Sequence, residues 1–70
     1  MGANVRPGGL TDDPGTGSIE AAPALERSGR IPRDDVAATL VAVLDSPNTI
    51  GLGFDLISGD TPIADAVAAL

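Results

Sequence analysis

The spacing of apolar positions changes character near residue 30. Beyond Ile31 it is regular. Val36, Leu40, Val43 and Leu44 recur at i, i+4, i+7 and i+8, with Ala37 and Val41 widening the stripe, which predicts an amphipathic helix facing a core. Asp34 or Asp35 stands at its start, where a carboxylate accepts a hydrogen bond from an otherwise orphan N–H and complements the helix dipole. Pro47, within Asp45-Ser46-Pro47-Asn48, ends the helix. The stretch from Gly51 to Ser58 then reads as a strand with Leu52, Phe54 and Leu56 on one face. Gly59-Asp60 turns the chain, Thr61 is the expected N-cap, and Pro62 takes the first helical position, where its missing N–H costs nothing. Ile63, Ala66, Val67 and Leu70 follow at helical spacing.

Before residue 30 the periodicity is lost. Arg6-Pro7-Gly8-Gly9 and Asp12-Asp13-Pro14-Gly15-Thr16-Gly17 are dense turn signals. Proline removes backbone donors and glycine admits positive φ, so no long helix or central strand is expected through these positions. Ile19 to Leu25 is a short strand candidate, weakened by Ala21-Ala22-Pro23. The expected organisation is a Gly/Pro-rich irregular segment at 1–30 and a helix-strand-helix piece at 31–70. A lone strand leaves its edges unpaired and two short helices do not cover it, so the pattern implies part of a larger α/β sheet protein.

Composition narrows the chemistry. The 70 residues carry ten acidic and four basic side chains, a net charge of −6, and every basic residue is arginine. That balance argues against nucleic acid or an anionic membrane as partner, since both need a basic footprint. The apolar run from Val36 to Leu44 is far shorter than the roughly 20 residues of a membrane-spanning helix. The start of the chain shows no apolar signal segment, and Met1-Gly2 is followed by Arg6 where a myristoylation signal wants Ser or Thr. A cytoplasmic location is the expectation. With no Cys and no His, disulfides, the usual soft metal ligands and a Ser/Cys–His nucleophile are all excluded, and no acidic stretch matches a calcium loop. No metal site and no catalytic residue are therefore assigned. Asp12-Asp13 and Asp34-Asp35 are paired carboxylates, but caps and solvated charge account for adjacent acids more simply than acid/base work.

Three segments, in order, carry a family resemblance. Val5-Arg6-Pro7-Gly8-Gly9-Leu10-Thr11-Asp12-Asp13-Pro14-Gly15-Thr16-Gly17 resembles the stretch after a late sheet strand in atypical short-chain dehydrogenases, the NAD(P)H-binding proteins related to sugar epimerases. Ile31-Pro32-Arg33-Asp34-Asp35-Val36-Ala37 is similar to that family's start of a late helix. Phe54-Asp55-Leu56-Ile57-Ser58-Gly59-Asp60-Thr61-Pro62-Ile63 is similar to its closing strand and turn. The resemblance implies the C-terminal fragment of a Rossmann-like doubly wound α/β sheet, with NAD(P) as cofactor of the intact family. It places Arg6, Pro7, Gly8 and Gly9 in a loop lining the crevice beyond the strand ends, near the nicotinamide. There Arg6 would pair with a phosphate or a substrate carboxylate; the simpler alternative is that the four residues only shape a turn.

The chain also departs from the family pattern. No Gly-x-Gly-x-x-Gly occurs between a strand and a helix, and the Tyr-x-x-x-Lys pair of the reductases has no counterpart, because the chain has neither Tyr nor Lys. Met1-Gly2-Ala3-Asn4 stands where the family has most of an apolar strand. The expectation is a truncated oxidoreductase or epimerase relative without cofactor binding or catalysis of its own, needing a protein partner that supplies a sheet. The competing reading is a small acidic interaction module that folds on a partner through Val36, Leu40, Val43 and Leu44.

Overall fold

A computed structural model describes residues 3–70. Met1 and Gly2, read above for a lipidation signal, lie outside the described residues. Four strands form a mixed sheet: β1 (Asn4–Pro7), β5 (Gly53–Ser58), β3 (Ser18–Ala22) and β6 (Thr61–Pro62), in that spatial order. β1 runs parallel to β5, with Val5 opposite Phe54 and Pro7 opposite Leu56. β3 runs antiparallel to β5, pairing Ile19 with Ser58 and Ala21 with Leu56. A second, two-stranded parallel ladder joins β2 (Gly9–Thr11) to β4 (Arg30–Pro32). Helix α1 (Arg33–Leu44) leads from β4 through a 3-10 turn at Pro47–Thr49 to β5, and α2 (Ile63–Ala68) closes the described chain.

The core lies around the central β5. Ile19, Ile31, Phe54 and Leu56 are fully buried and cluster with Ala66; Val5, Val36, Val43, Ile63 and Leu70 pack against that cluster half-buried, and Val67 is fully buried as well. β5 is apolar on both faces: Phe54 and Leu56 fill one, and Ile57 sits buried on the other. The Gly8 and Gly29 backbone lies against Ile57 on that second face, so β5 is covered on both faces and strict alternation is not required of it. Leu52, expected on the strand's inner face, lies outside β5 and is partly exposed.

The first half of the chain, expected to be irregular, carries β1, β2 and β3 between its loops. β1 and β3 flank β5, and Gly8 N–H and Gly9 N–H continue the pairing to the Leu56 and Gly29 carbonyls. The turn residues satisfy their backbone through partners 20 to 50 residues away, which no local spacing can report. Pro7 is tolerated because it ends β1, which is an edge strand among the described residues.

Helix α1 is rotated from the expected face. Its buried side chains are Asp35 and Thr39, one position before Val36 and Leu40, while Leu40 is 45% and Leu44 85% exposed. Apolar residues occur nearly all round this helix, so periodicity holds it to no single face. Polar contacts decide instead. The Thr39 hydroxyl donates to the Asp35 carbonyl at 2.7 Å, and the Asp35 carboxylate is fully engaged by a loop. Satisfied polar groups are cheap to bury. Neither helix is capped as expected: Pro32 and Pro62 occupy the N-cap positions, without a side-chain cap hydrogen bond. Thr61 belongs to β6, opposite Ile19. At the other end of α1, Thr49 donates to the Val43 and Ser46 carbonyls, and Ser46 to that of Ala42, so the helix closes where the Pro47 signal put its end.

Candidate functional site

A cavity of about 320 Å³ opens where β1 passes into Gly8-Gly9. Arg6 to Gly9 form one wall, Leu25, Arg27, Ser28 and Gly29 another, and Asp55 to Ile57 of β5 the floor. The parallel register of β1 and β5 sends both strands toward this rim. Gly8 is dictated by packing: a Cβ there would run into the Gly29 carbonyl oxygen and crowd Ile57. No other residue fits so close an approach of two backbones.

Asp55 is the polar hub of the cavity. It points away from the face that carries Phe54 and Leu56, receives the Arg6 Nε–H at 2.8 Å on one oxygen and the Leu25 N–H at 3.0 Å on the other. The Leu25 N–H and then the Arg6 guanidinium hold its carboxyl below the ordinary aspartate value. Arg6 Nη2 also donates to the Pro23 carbonyl at 2.8 Å. The guanidinium lies over Gly53, where a Cβ would stand 2.7 Å from Nη1. Arg6 and Asp55 thus tie the segment Pro23–Leu25, which belongs to no strand or helix, to the sheet. Beyond that tie, Arg27 pairs with Glu20 on the surface.

A second carboxylate organises the loop on the other side of β2. Asp35, 2% exposed, accepts the Thr16 N–H at 2.9 Å, the Gly17 N–H at 2.9 Å and the Thr16 hydroxyl at 3.2 Å. Burial alone raises its pKa, but these hydrogen bonds to the charged form outweigh it and the carboxyl titrates below its usual range. Gly17 has φ +77°, the left-handed conformation that points its amide inward at little cost. Asp35 was read from sequence as a helix cap. The structure assigns its acceptor capacity to the loop, 18 to 19 residues earlier in the chain.

Arg6, Pro7, Gly8 and Gly9, the four residues singled out in the sequence, therefore line one cavity. Sequence reasoning missed Asp55, Leu25 and Arg27 on its other walls. For Asp55 a signal was present: a lone charge inside the apolar run Phe54-Asp55-Leu56-Ile57 asks for a partner. No cluster of three or more potential metal ligands occurs among the described residues, and no helix there is long and apolar enough to cross a membrane.

The sequence and the fold have counterparts among known proteins. The uncharacterized sugar epimerase YhfK of Bacillus subtilis (strain 168) is 58% identical over 66 residues, covering 94% of this chain and 30% of that protein. A solved structure classed as a NAD-dependent epimerase/dehydratase, from Bacillus halodurans, superposes with a TM-score of 0.92 at 38% identity, over 97% of this chain and 32% of its own. The oxidoreductase ylbE from Lactococcus lactis gives a TM-score of 0.83 at 29% identity, again over 97% of this chain and 30% of its own. The mixed α/β sheet is thus the fold of a Rossmann-like epimerase fragment, and the chain spans about a third of the length of these relatives. Residues 4–47, from β1 through α1 to the start of the 3-10 turn, match the sequence model of one family, and by that match the chain belongs to the NAD(P)H-binding family.

Proposed function

We propose that this chain forms the C-terminal wall of the ligand crevice of an NAD(P)-dependent epimerase or oxidoreductase, and that by itself it neither holds the dinucleotide nor catalyses. One observation carries the reading. Gly8-Gly9 leaves the carboxyl end of β1 beside parallel β5, and in doubly wound sheets ligands lie in the crevice beyond those strand ends.

The residues present do not fit the dinucleotide's phosphates. A pyrophosphate site needs a glycine-rich turn opening a helix, with free N–H groups aimed at the ligand. The one long helix here, α1, opens instead on Pro32 with Asp34 and Asp35 in its first turn, and both carboxylates repel a phosphate. Gly8 faces the Gly29 carbonyl rather than an open cradle, and Arg6 is engaged by Asp55 and Pro23. The contribution of this chain is a shaped wall at the reacting end, and the phosphate grip belongs to the part of the fold its relatives have in addition. Calorimetric titration of the chain with NADPH should give no saturable heat; saturable micromolar binding would overturn the claim of dependence.

The exposed Leu40, Val41 and Leu44 on α1 support a second reading, an acidic module that folds against a partner protein. The two differ in an easily read way. A partner-docking module retains its function with the Gly8 cavity filled by a larger side chain at Gly9, whereas the crevice reading requires that cavity open.

A further inference from the structure

The chain is acidic overall, yet its positive charge gathers at one place. Three of the four arginines flank the Gly8-Gly9 loop: Arg6 and Arg27 line the cavity, and the Arg30 side chain packs against Gly9, 3.4 Å from where a Cβ would stand. The only acid lining that cavity is Asp55, already taken by Arg6 and the Leu25 N–H. Resting on the crevice reading above, we infer that this cavity receives an anionic group of the substrate rather than of the dinucleotide, a phosphoryl or carboxylate oxygen, and that Arg27 is the residue that binds it.

The three arginines differ in how free they are to do so. Arg6 is fixed by two hydrogen bonds and by its seat over Gly53, so moving it would release Pro23 and Leu25 as well. Arg30 has no carboxylate partner among the described residues but does not line this cavity; it adds to the local potential. Arg27 lines the cavity, and its side chain is 64% exposed in a surface pair with Glu20, itself 39% exposed. Such exposed pairs hold little net stability, so an anion in the cavity competes with Glu20 on nearly equal terms. Within the cavity the anion gains a charge-assisted bond and a second positive neighbour in Arg6, and Ser28 lines the same cavity. Glu20 then serves as a surrogate that keeps the guanidinium positioned until a ligand arrives.

The test uses the 15N-labelled chain and two probes, inorganic phosphate and acetate, titrated separately at constant ionic strength. Saturable shifts of the Arg27 Nε–H and the Ser28 amide are expected, with about tenfold weaker binding in Arg27→Gln, the size of losing one charge-assisted hydrogen bond. Arg33→Gln, which removes another exposed pair, with Asp12, away from the cavity, should titrate like the unmodified chain. Saturation by phosphate or by acetate assigns the anion as phosphoryl or carboxylate. Shifts that rise linearly and equally at all four arginines, or an Arg27→Gln chain that titrates unchanged, would overturn the inference. Because no dinucleotide enters this experiment, its failure is separate from failure of the crevice reading, which NADPH binding tests.

Discussion

The sheet around β5 and the two loops beside it are held by different forces. Around β5, Ile19, Phe54, Leu56 and Val67 are all fully buried, and stability there is spread over apolar area removed from water. The loops at 12–17 and 23–29 bury almost nothing. Each is anchored on one carboxylate, Asp35 for the first and Asp55 for the second, through directed hydrogen bonds to backbone N–H groups. A spread force tolerates the loss of any one small contact, whereas an anchored loop depends on one or two side chains: Asp35 for the first, Asp55 with Arg6 for the second. The cavity wall formed by Leu25, Arg27, Ser28 and Gly29 belongs to the anchored part, where shape can change without unfolding the sheet.

The comparison breaks most sharply at the core. Phe54→Ala should cost about 3–5 kcal/mol, enough to abolish cooperative melting in a domain this small, as read by circular dichroism. Asp35→Ala should cost about 2 kcal/mol, because it removes a buried acceptor of several charge-assisted bonds and strands the Thr16 and Gly17 amides. Its signature in hydrogen exchange is loss of protection at those two amides before any change at Ile19 or Phe54.

Acid sharpens the same contrast. Asp35 and Asp55 both titrate below the ordinary aspartate value of 3.8 in the folded chain, so the stability they contribute is full above that value. It is lost as pH falls through their lower folded values, the direction expected when the unfolded state binds protons more readily. Denaturant midpoints should therefore be flat above about pH 5 and decline below about pH 4. Asp35→Asn should be less stable at neutral pH and show a shallower decline. The smallest effect is expected at Leu44, 85% exposed, where Leu44→Lys should change stability by less than about 0.5 kcal/mol. The sequence pattern placed Leu44 on the buried stripe, and a loss of 2 kcal/mol or more would restore that assignment.

What sequence could and could not reveal follows from the same division. α1, β5 and α2 were legible because each carries its own period or stop signal: the apolar run 36–44 before Pro47, the Phe54 and Leu56 alternation, and the Ile63, Ala66, Val67 spacing. β1 and β2 were not, since Arg6-Pro7-Gly8-Gly9 encodes a turn locally and becomes sheet only by pairing with Leu56 and Gly29. The rotation of α1 was hidden for a related reason, as Asp35 is buried by partners at Thr16 and Gly17 that no helical wheel includes. At the candidate site, the motif resemblance delivered the Gly8-Gly9 wall. The opposite wall depends on Asp55 meeting Arg6, 49 residues apart, and on Leu25 meeting Asp55.

The central claim is that this chain is one wall of an NAD(P) crevice whose phosphate grip lies elsewhere in the fold. The most direct measurement is NADPH binding by a chimera in which this chain replaces the matched region of the Bacillus subtilis relative, with the unmodified relative measured in parallel. The account predicts that the chimera folds and binds NADPH saturably, with an affinity within about tenfold of the relative's, the span of 1.4 kcal/mol. A folded chimera that fails to bind NADPH while the relative binds it would contradict the claim.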